Sequence, residues 1–177
     1  GQDAAYLAAT IKAYASGATF WAYLLPNLIG PEKACKVIID NPMAQNRQLK
    51  PAQVLDLGIV DAMFAPADFL EESLLWAAQV LTGDVNVQRP EIDRGAAWDE
   101  TVAAVRAGLD ARLKGATPAP YRALDLIALA KTATRAEGFA AEDEALADLI
   151  MGDDLRAGLY SFDLVQKRAK RPVGAPD

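Results

Sequence analysis

The chain has 177 residues, of which 52% are apolar and 24% charged, and its formal net charge is −6. This composition is typical of a globular protein, and the acidic balance excludes nucleic acid as a main partner because phosphate binding needs a concentrated cationic surface. Cys35 is the only cysteine and there is no histidine. An internal disulfide, Ser/His/Asp or Cys/His catalysis and most zinc sites are therefore excluded, and a cytoplasmic location without a metal is expected.

Residues 13–30 form an uncharged run of membrane-spanning length. Several polar residues and Pro26 dilute its hydrophobicity, and no cluster of Lys or Arg flanks it. A membrane association is therefore not expected. A signal peptide is not predicted either, because the chain lacks a basic start.

In the first third of the chain, apolar spacing predicts short helices separated by Gly and Pro. A helix is predicted over 3–15, and the apolar piece that follows Gly17 stops at Pro26. The next helix begins at Pro31 and is predicted to close before Asn41 and Pro42. Residues 51–57 are predicted to form two helical turns capped by Gly58, and residues 59–64, "IVDAMF", to form the single strand.

The clearest amphipathic helix is predicted over 66–83, "PADFLEESLLWAAQVLTG", where an acidic first turn suits the helix dipole. A polar stretch follows at 84–95. Further helices are predicted at 96–113, 120–137, 141–150 and 155–168. The predicted fold class is mainly α, with at most one or two short strands.

Two segments in this order, "LLPNLIGPEKACKVIID" (24–40) and "LKPAQVLDLGIVDAMFAPADFLEESLLWAAQVL" (49–81), resemble the second half of a crotonase-fold domain, the enoyl-CoA hydratase/isomerase family. In that family an "LP.L.G..KA" helix leads through an "A..A...GLVD.V" element to a long amphipathic helix. The matching residues are Leu25, Pro26, Leu28, Gly30, Lys33, Ala34, Ala52, Leu55, Gly58, Ile59, Val60 and Asp61.

Residues 117–150 and 162–177 are similar to the fatty-acid oxidation multifunctional enzymes of this family, at the stretch that joins the hydratase half to the 3-hydroxyacyl-CoA dehydrogenase half. The resemblance implies four regions. These are an N-terminal helix that departs from the family (1–21), a crotonase-like C-terminal region (22–115), terminal helices (116–169) and a linker (170–177) that leads toward a dehydrogenase domain.

The resemblance also implies a chemistry, the hydration of enoyl-CoA thioesters by a lyase of β-oxidation. In the family, backbone N–H groups from a Gly-rich turn hold the thioester oxygen, and glutamates act on water and on the substrate. This chain has no Gly-Gly pair, and residues 1–30 contain no Glu, although the later glutamate should fall near Thr10. No catalytic residue and no cofactor are therefore expected in this chain, and no activity of the chain alone.

Contacts to an acyl-CoA are nevertheless candidates. Lys167 and Lys170 could meet the anionic coenzyme, although this basic run also fits a solvated helix end that complements the helix dipole. Leu24, Leu25 and Leu28 could line an acyl pocket, and core packing explains these leucines equally well.

The remaining conspicuous residues have simpler interpretations. Cys35 is predicted to be a small buried hydrophobic residue, and Trp76 and Trp98 to be core or interface anchors. Asp61 is interpreted as a turn and packing residue. The acidic clusters at 71–72, 142–144 and 153–154 are interpreted as solvated helix faces or helix-start acids.

A noncatalytic helical assembly or binding module is the alternative function. Exposed apolar surface would favour it, because helices that normally cover a sheet must associate with something when the sheet is absent. The expected partner is then a second copy or a missing remainder of the chain.

Overall fold

A computed structural model describes residues 21–44 and 47–169, without the side chains of 166–169. The predicted helix at 3–15, most of the 1–21 region and the 170–177 linker lie outside the described residues. The helices are α1 (Trp21–Ile29), α2 (Pro31–Cys35), a π-helical turn (Lys36–Asp40), α3 (Asn41–Met43), α4 (Pro51–Leu57), α5 (Phe69–Thr82), α6 (Ala96–Leu113), α7 (Pro118–Leu129), α8 (Arg135–Met151) and α9 (Asp153–Ala169).

The described part of the chain is helical and contains no strand, so the predicted mainly α class is confirmed. It divides into two units. We call residues 21–44 and 93–169 the outer unit, and residues 48–92 the middle unit. The predicted boundary at 115/116 falls in the turn after α6.

Helix α7 forms the centre of the outer unit. It packs against α1, α2, α6 and α8. Its buried residues are spaced along one face, as an amphipathic helix requires: Ala119, Pro120, Ala123, Leu124 and Ile127. Trp98 from α6 is 1% exposed, and its Nε1–H donates to the Ile127 carbonyl at 3.2 Å. A buried indole needs such an acceptor, so this bond fixes α6 against α7.

Helix formation continues through Pro42, which the sequence predicted to end it. The helical backbone runs from Pro31 through the π turn to Met43, and the Asn41 N–H donates to the Lys36 carbonyl five residues earlier. A proline inside a regular α-helix loses one hydrogen bond and clashes with the carbonyl four residues before it. The wider π turn directly before Pro42 changes this register, so the helix ends only at Met43.

The helix predicted over 120–137 is interrupted. α7 ends at Leu129, and α8 begins after Thr134, whose hydroxyl accepts from the Glu137 N–H while the Glu137 carboxylate accepts from the Thr134 N–H. This reciprocal capping box starts a new helix. The helices predicted at 141–150 and 155–168 are correspondingly longer in the structure, as α8 and α9.

In the middle unit, α4 begins at Pro51 and ends at Gly58, whose φ of 82° is the left-handed value that favours glycine. Both limits were predicted. Residues 59–64 are not a strand, since the chain bends at Ile59 and Asp61. A strand is defined by hydrogen bonds to a neighbouring strand, and the described residues supply none. No side chain between 48 and 92 is buried.

Candidate functional site

The carboxylate of Glu142, on α8, lies at the start of α1. Its two oxygens accept hydrogen bonds from the Ala22 and Tyr23 backbone N–H groups, both at 3.3 Å. The first N–H groups of a helix lack intrahelical acceptors and carry a partial positive charge. Glu142 therefore supplies an acceptor that is 120 positions away in the sequence from Ala22.

The surroundings of Glu142 change its acidity. Burial raises the pKa of this carboxyl group above its ordinary value and the neighbouring Asp143 acts in the same direction, while the hydrogen bonds from Ala22 and Tyr23 oppose them. A carboxyl group with a raised pKa is a candidate general acid or base. Its two oxygens are, however, engaged by the backbone of α1, which is a structural use.

Close packing joins the same two helices beside Glu142. A Cβ atom added at Gly138 would overlap Cδ2 of the Tyr23 ring, so only glycine fits at this position of α8. The Tyr23 ring also packs edge-on against Phe139, with 5.7 Å between centroids, and its hydroxyl donates to the Ala133 carbonyl at 3.4 Å. The Arg135 guanidinium lies 5.0 Å from the Phe139 ring centre, a cation–π contact.

Asn27, on α1, also makes polar contacts beside Tyr23. Its side-chain amide donates to the Tyr23 carbonyl at 2.8 Å and to the Ala130 carbonyl at 3.3 Å. Its Oδ1 atom is buried and has no hydrogen-bond partner in the described part of the chain. The bond to Ala130 holds α1 against the end of α7, whereas the bond to Tyr23 lies within α1.

The three leucines proposed for an acyl pocket do not share one environment. Leu25 is 0% exposed in the core, whereas Leu24 is 40% exposed and Leu28 is half-buried. Leu24 and Leu28 lie one helical turn apart on the same face of α1, so the structure brings these two together and separates Leu25 from them. Lys167 lies on α9, where its side chain is not described, and Lys170 lies outside the described residues.

Cys35 is 2% exposed, and desolvation raises the pKa of its thiol to about 12. A thiol that stays protonated at neutral pH is a poor nucleophile, so the interpretation as a small hydrophobic residue is confirmed. Trp98 is a core anchor, as predicted, whereas Trp76 is half-buried. Asp61 pairs with Arg89 within the middle unit.

The acidic clusters separate into two kinds. Glu71 and Glu72 lie in the exposed first turn of α5, and Asp153 and Asp154 in that of α9, which agrees with helix-start acids. Glu142 does not fit this interpretation, because it is half-buried and holds another helix. The sequence signal for Glu142 is weak. It lies four residues after Gly138 and three before Ala145, on the same face of α8 as these two buried residues, and only this spacing distinguishes it from Asp143 and Glu144.

Large apolar side chains are exposed on two helices of the described part of the chain. On α5, Leu70, Leu74 and Leu81 are 70%, 64% and 88% exposed. Side chains on α9 are also uncovered, with Tyr160 67% and Phe162 61% exposed. Exposed apolar side chains that form a patch mark interaction sites in soluble proteins.

Within the described residues, no three His, Cys, Asp or Glu side chains cluster as a metal site requires, and every helix is too short or too polar to cross a bilayer. Comparison of the chain with known protein families, with characterised proteins and with solved structures found no match.

Proposed function

We propose that this chain is the helical portion of a crotonase-type enoyl-CoA hydratase/isomerase domain, that the domain acts on acyl-CoA thioesters in fatty-acid β-oxidation, and that this chain has no activity alone. The observation that carries the proposal is the middle unit. Along the segment whose sequence resembles the family, this unit consists of a helix, the left-handed Gly58, a nonhelical stretch and an amphipathic helix. None of its side chains is buried.

The nonhelical stretch supports the proposal further. Among the described residues, nothing hydrogen-bonds to the backbone N–H groups from Val60 to Phe64. The side chains of Ala62, Met63, Phe64 and Ala65 alternate between half-buried and exposed, a period of two that is typical of extended chain. A strand-forming sequence whose backbone groups are free can pair with the edge of a neighbouring sheet, which a complete crotonase-type domain would supply.

The decisive experiment is to sequence the transcript that encodes this chain. The proposal predicts that the same reading frame encodes a Gly-rich turn and catalytic glutamates upstream and a Gly-x-Gly-x-x-Gly motif downstream. The protein extended upstream should hydrate crotonyl-CoA, whereas the 177-residue chain should show no turnover above background. A frame without these elements, or hydration by the chain alone, would contradict the proposal.

The exposed surfaces of α5 and α9 favour a second function, a noncatalytic helical assembly module. Apolar side chains that remain uncovered in the folded chain are covered at lower free energy by association. Light scattering of the purified chain over a hundredfold range of concentration tests this function. A mass that rises above one chain supports it, and a monomer at every concentration contradicts it.

A further inference from the structure

Four exposed residues of α5 form a regular stripe. Leu70, Leu74, Ala77 and Leu81 are all exposed, and their spacing is four, three and four residues. This is the a/d spacing with which two helices pack side by side, each side chain inserting between those of the other helix. We call these four residues the α5 stripe.

The stripe is separate from the partly covered side of α5. Ser73, Trp76 and Val80 are half-buried and form a neighbouring row along the helix. One row of α5 is therefore partly covered, whereas the stripe is exposed along its whole length. From the spacing, the exposure and the uncovered row we infer that the α5 stripe pairs with the α5 stripe of a second copy, with the two helices antiparallel.

The stripe is complementary to itself in this orientation. Its spacing reads the same in both directions, so a two-fold axis between Leu74 and Ala77 places Leu70 opposite the second copy's Leu81. The same axis places each Leu74 opposite the small side chain of an Ala77. The two central pairs therefore match a large side chain with a small one, which lets the helices approach closely there, and the two outer pairs are Leu against Leu.

Charge selects the antiparallel arrangement. The start of α5 carries Asp68, Glu71 and Glu72, and the helix Phe69–Thr82 contains no basic residue. Parallel helices would gather six carboxylates at one end of the pair. Antiparallel helices separate the two acidic ends by about 20 Å, the length of a 14-residue helix, and also align the helix dipoles favourably.

The available area sets the expected affinity. The four side chains and their immediate neighbours would bury on the order of 1,000 Å² in total, the lower end of specific protein interfaces. The pairing should therefore be reversible, with a dissociation constant of roughly ten to several hundred micromolar. The inference rests on the assembly module proposed above and names its partner and contact.

Sedimentation equilibrium of three chains tests the stripe. The unmodified chain should dimerise, and Leu74→Glu should weaken dimerisation at least tenfold because it places two carboxylates in the contact. The matched control is Leu75→Glu, which adds the same charge at a residue 53% exposed but about 100° round the helix from Leu74. Neither leucine is buried, and circular dichroism should show that both variants keep the helical content of the unmodified chain.

Disulfide formation tests the orientation. When a Leu70→Cys chain and a tagged Leu81→Cys chain are mixed and oxidised, the antiparallel pairing predicts the mixed disulfide as the main product. A parallel pairing would instead join each variant to itself, because a disulfide needs Cα atoms within about 7 Å. Cys35 is buried and should not compete.

Each outcome is decisive. Loss of the dimer in Leu74→Glu alone, together with the mixed disulfide, supports the inference. A dimer that survives Leu74→Glu, or that is lost equally in Leu75→Glu, overturns the inference. The proposal of an assembly module would not be affected by either result. A monomeric unmodified chain overturns both.

Discussion

The outer and middle units differ in burial, although both contain helices with abundant large apolar residues. In α7 of the outer unit, Leu124 and Ile127 are fully buried, whereas α5 of the middle unit, with more large apolar residues, has no buried side chain. Apolar periodicity thus predicts that a helix forms and which face is apolar, but not what covers that face. The outer unit buries the apolar face of α7, although Tyr160 and Phe162 on its α9 stay exposed, whereas no apolar side chain of the middle unit is buried.

Alanine substitutions in the two units should give the largest contrast. Leu124→Ala removes a fully buried side chain from α7 and should reduce the free energy of unfolding by about 2–5 kcal/mol. Leu75→Ala on α5, where the leucine is 53% exposed, should change it by less than about 0.5 kcal/mol. Urea unfolding of the dilute chains measures both, and equal losses would show that the middle unit has its own core.

A pair of glycine substitutions sharpens the account of the outer unit. Gly138→Ala should destabilise the chain by about 1–3 kcal/mol, because the new methyl group overlaps the Tyr23 ring. Gly108→Ala, inside α6, meets no atom within 4 Å and should stabilise by about 0.5–1 kcal/mol through helix propensity. Thermal unfolding of both variants measures the difference. If Gly138→Ala stabilised the chain as much as Gly108→Ala does, the close approach of α1 and α8 would be refuted.

A smaller effect concerns pH. Because the pKa of Glu142 is raised in the folded chain, the folded state holds this proton more tightly than the unfolded state. The stability that Glu142 contributes is therefore fully present below the unfolded pKa, roughly pH 4, and declines as the pH rises through the folded pKa. Glu142→Gln should remove this part of the decline, as measured by urea unfolding between pH 4 and 8.

The control for the pH experiment is Glu144→Gln, which removes the same charge from an exposed position of the same helix. This variant should keep the decline seen in the unmodified chain. If both variants reduce the decline of unfolding free energy with pH equally, the loss of one negative charge rather than the position of Glu142 would be responsible.

Local signals in the sequence were sufficient for most helix boundaries. The limits of α6 at Ala96 and Leu113 were predicted from apolar periodicity, and Gly58 was identified as the end of α4. The break after Leu129 was also encoded locally, because Thr134 and Glu137 are spaced as a capping box. The prediction of a helix through 137 gave too much weight to periodicity and overlooked that signal.

Nonlocal effects account for the other differences. Whether residues 59–64 form a strand depends on a neighbouring strand, which a single segment cannot reveal. The role of Glu142 depends on a contact with α1 that is distant in the sequence. The helix through Pro42 requires a π turn, for which the residue pattern at 36–40 gives no clear signal.

The most direct test of the account is hydrogen exchange, followed by mass spectrometry, at a chain concentration of about one micromolar, far below the expected dissociation constant. The account predicts that amides of α5 exchange within seconds, whereas those of α7 stay protected, and that α5 gains protection when the chain is concentrated. Protection of α5 at one micromolar equal to that of α7 would contradict the claim that the middle unit depends on a partner.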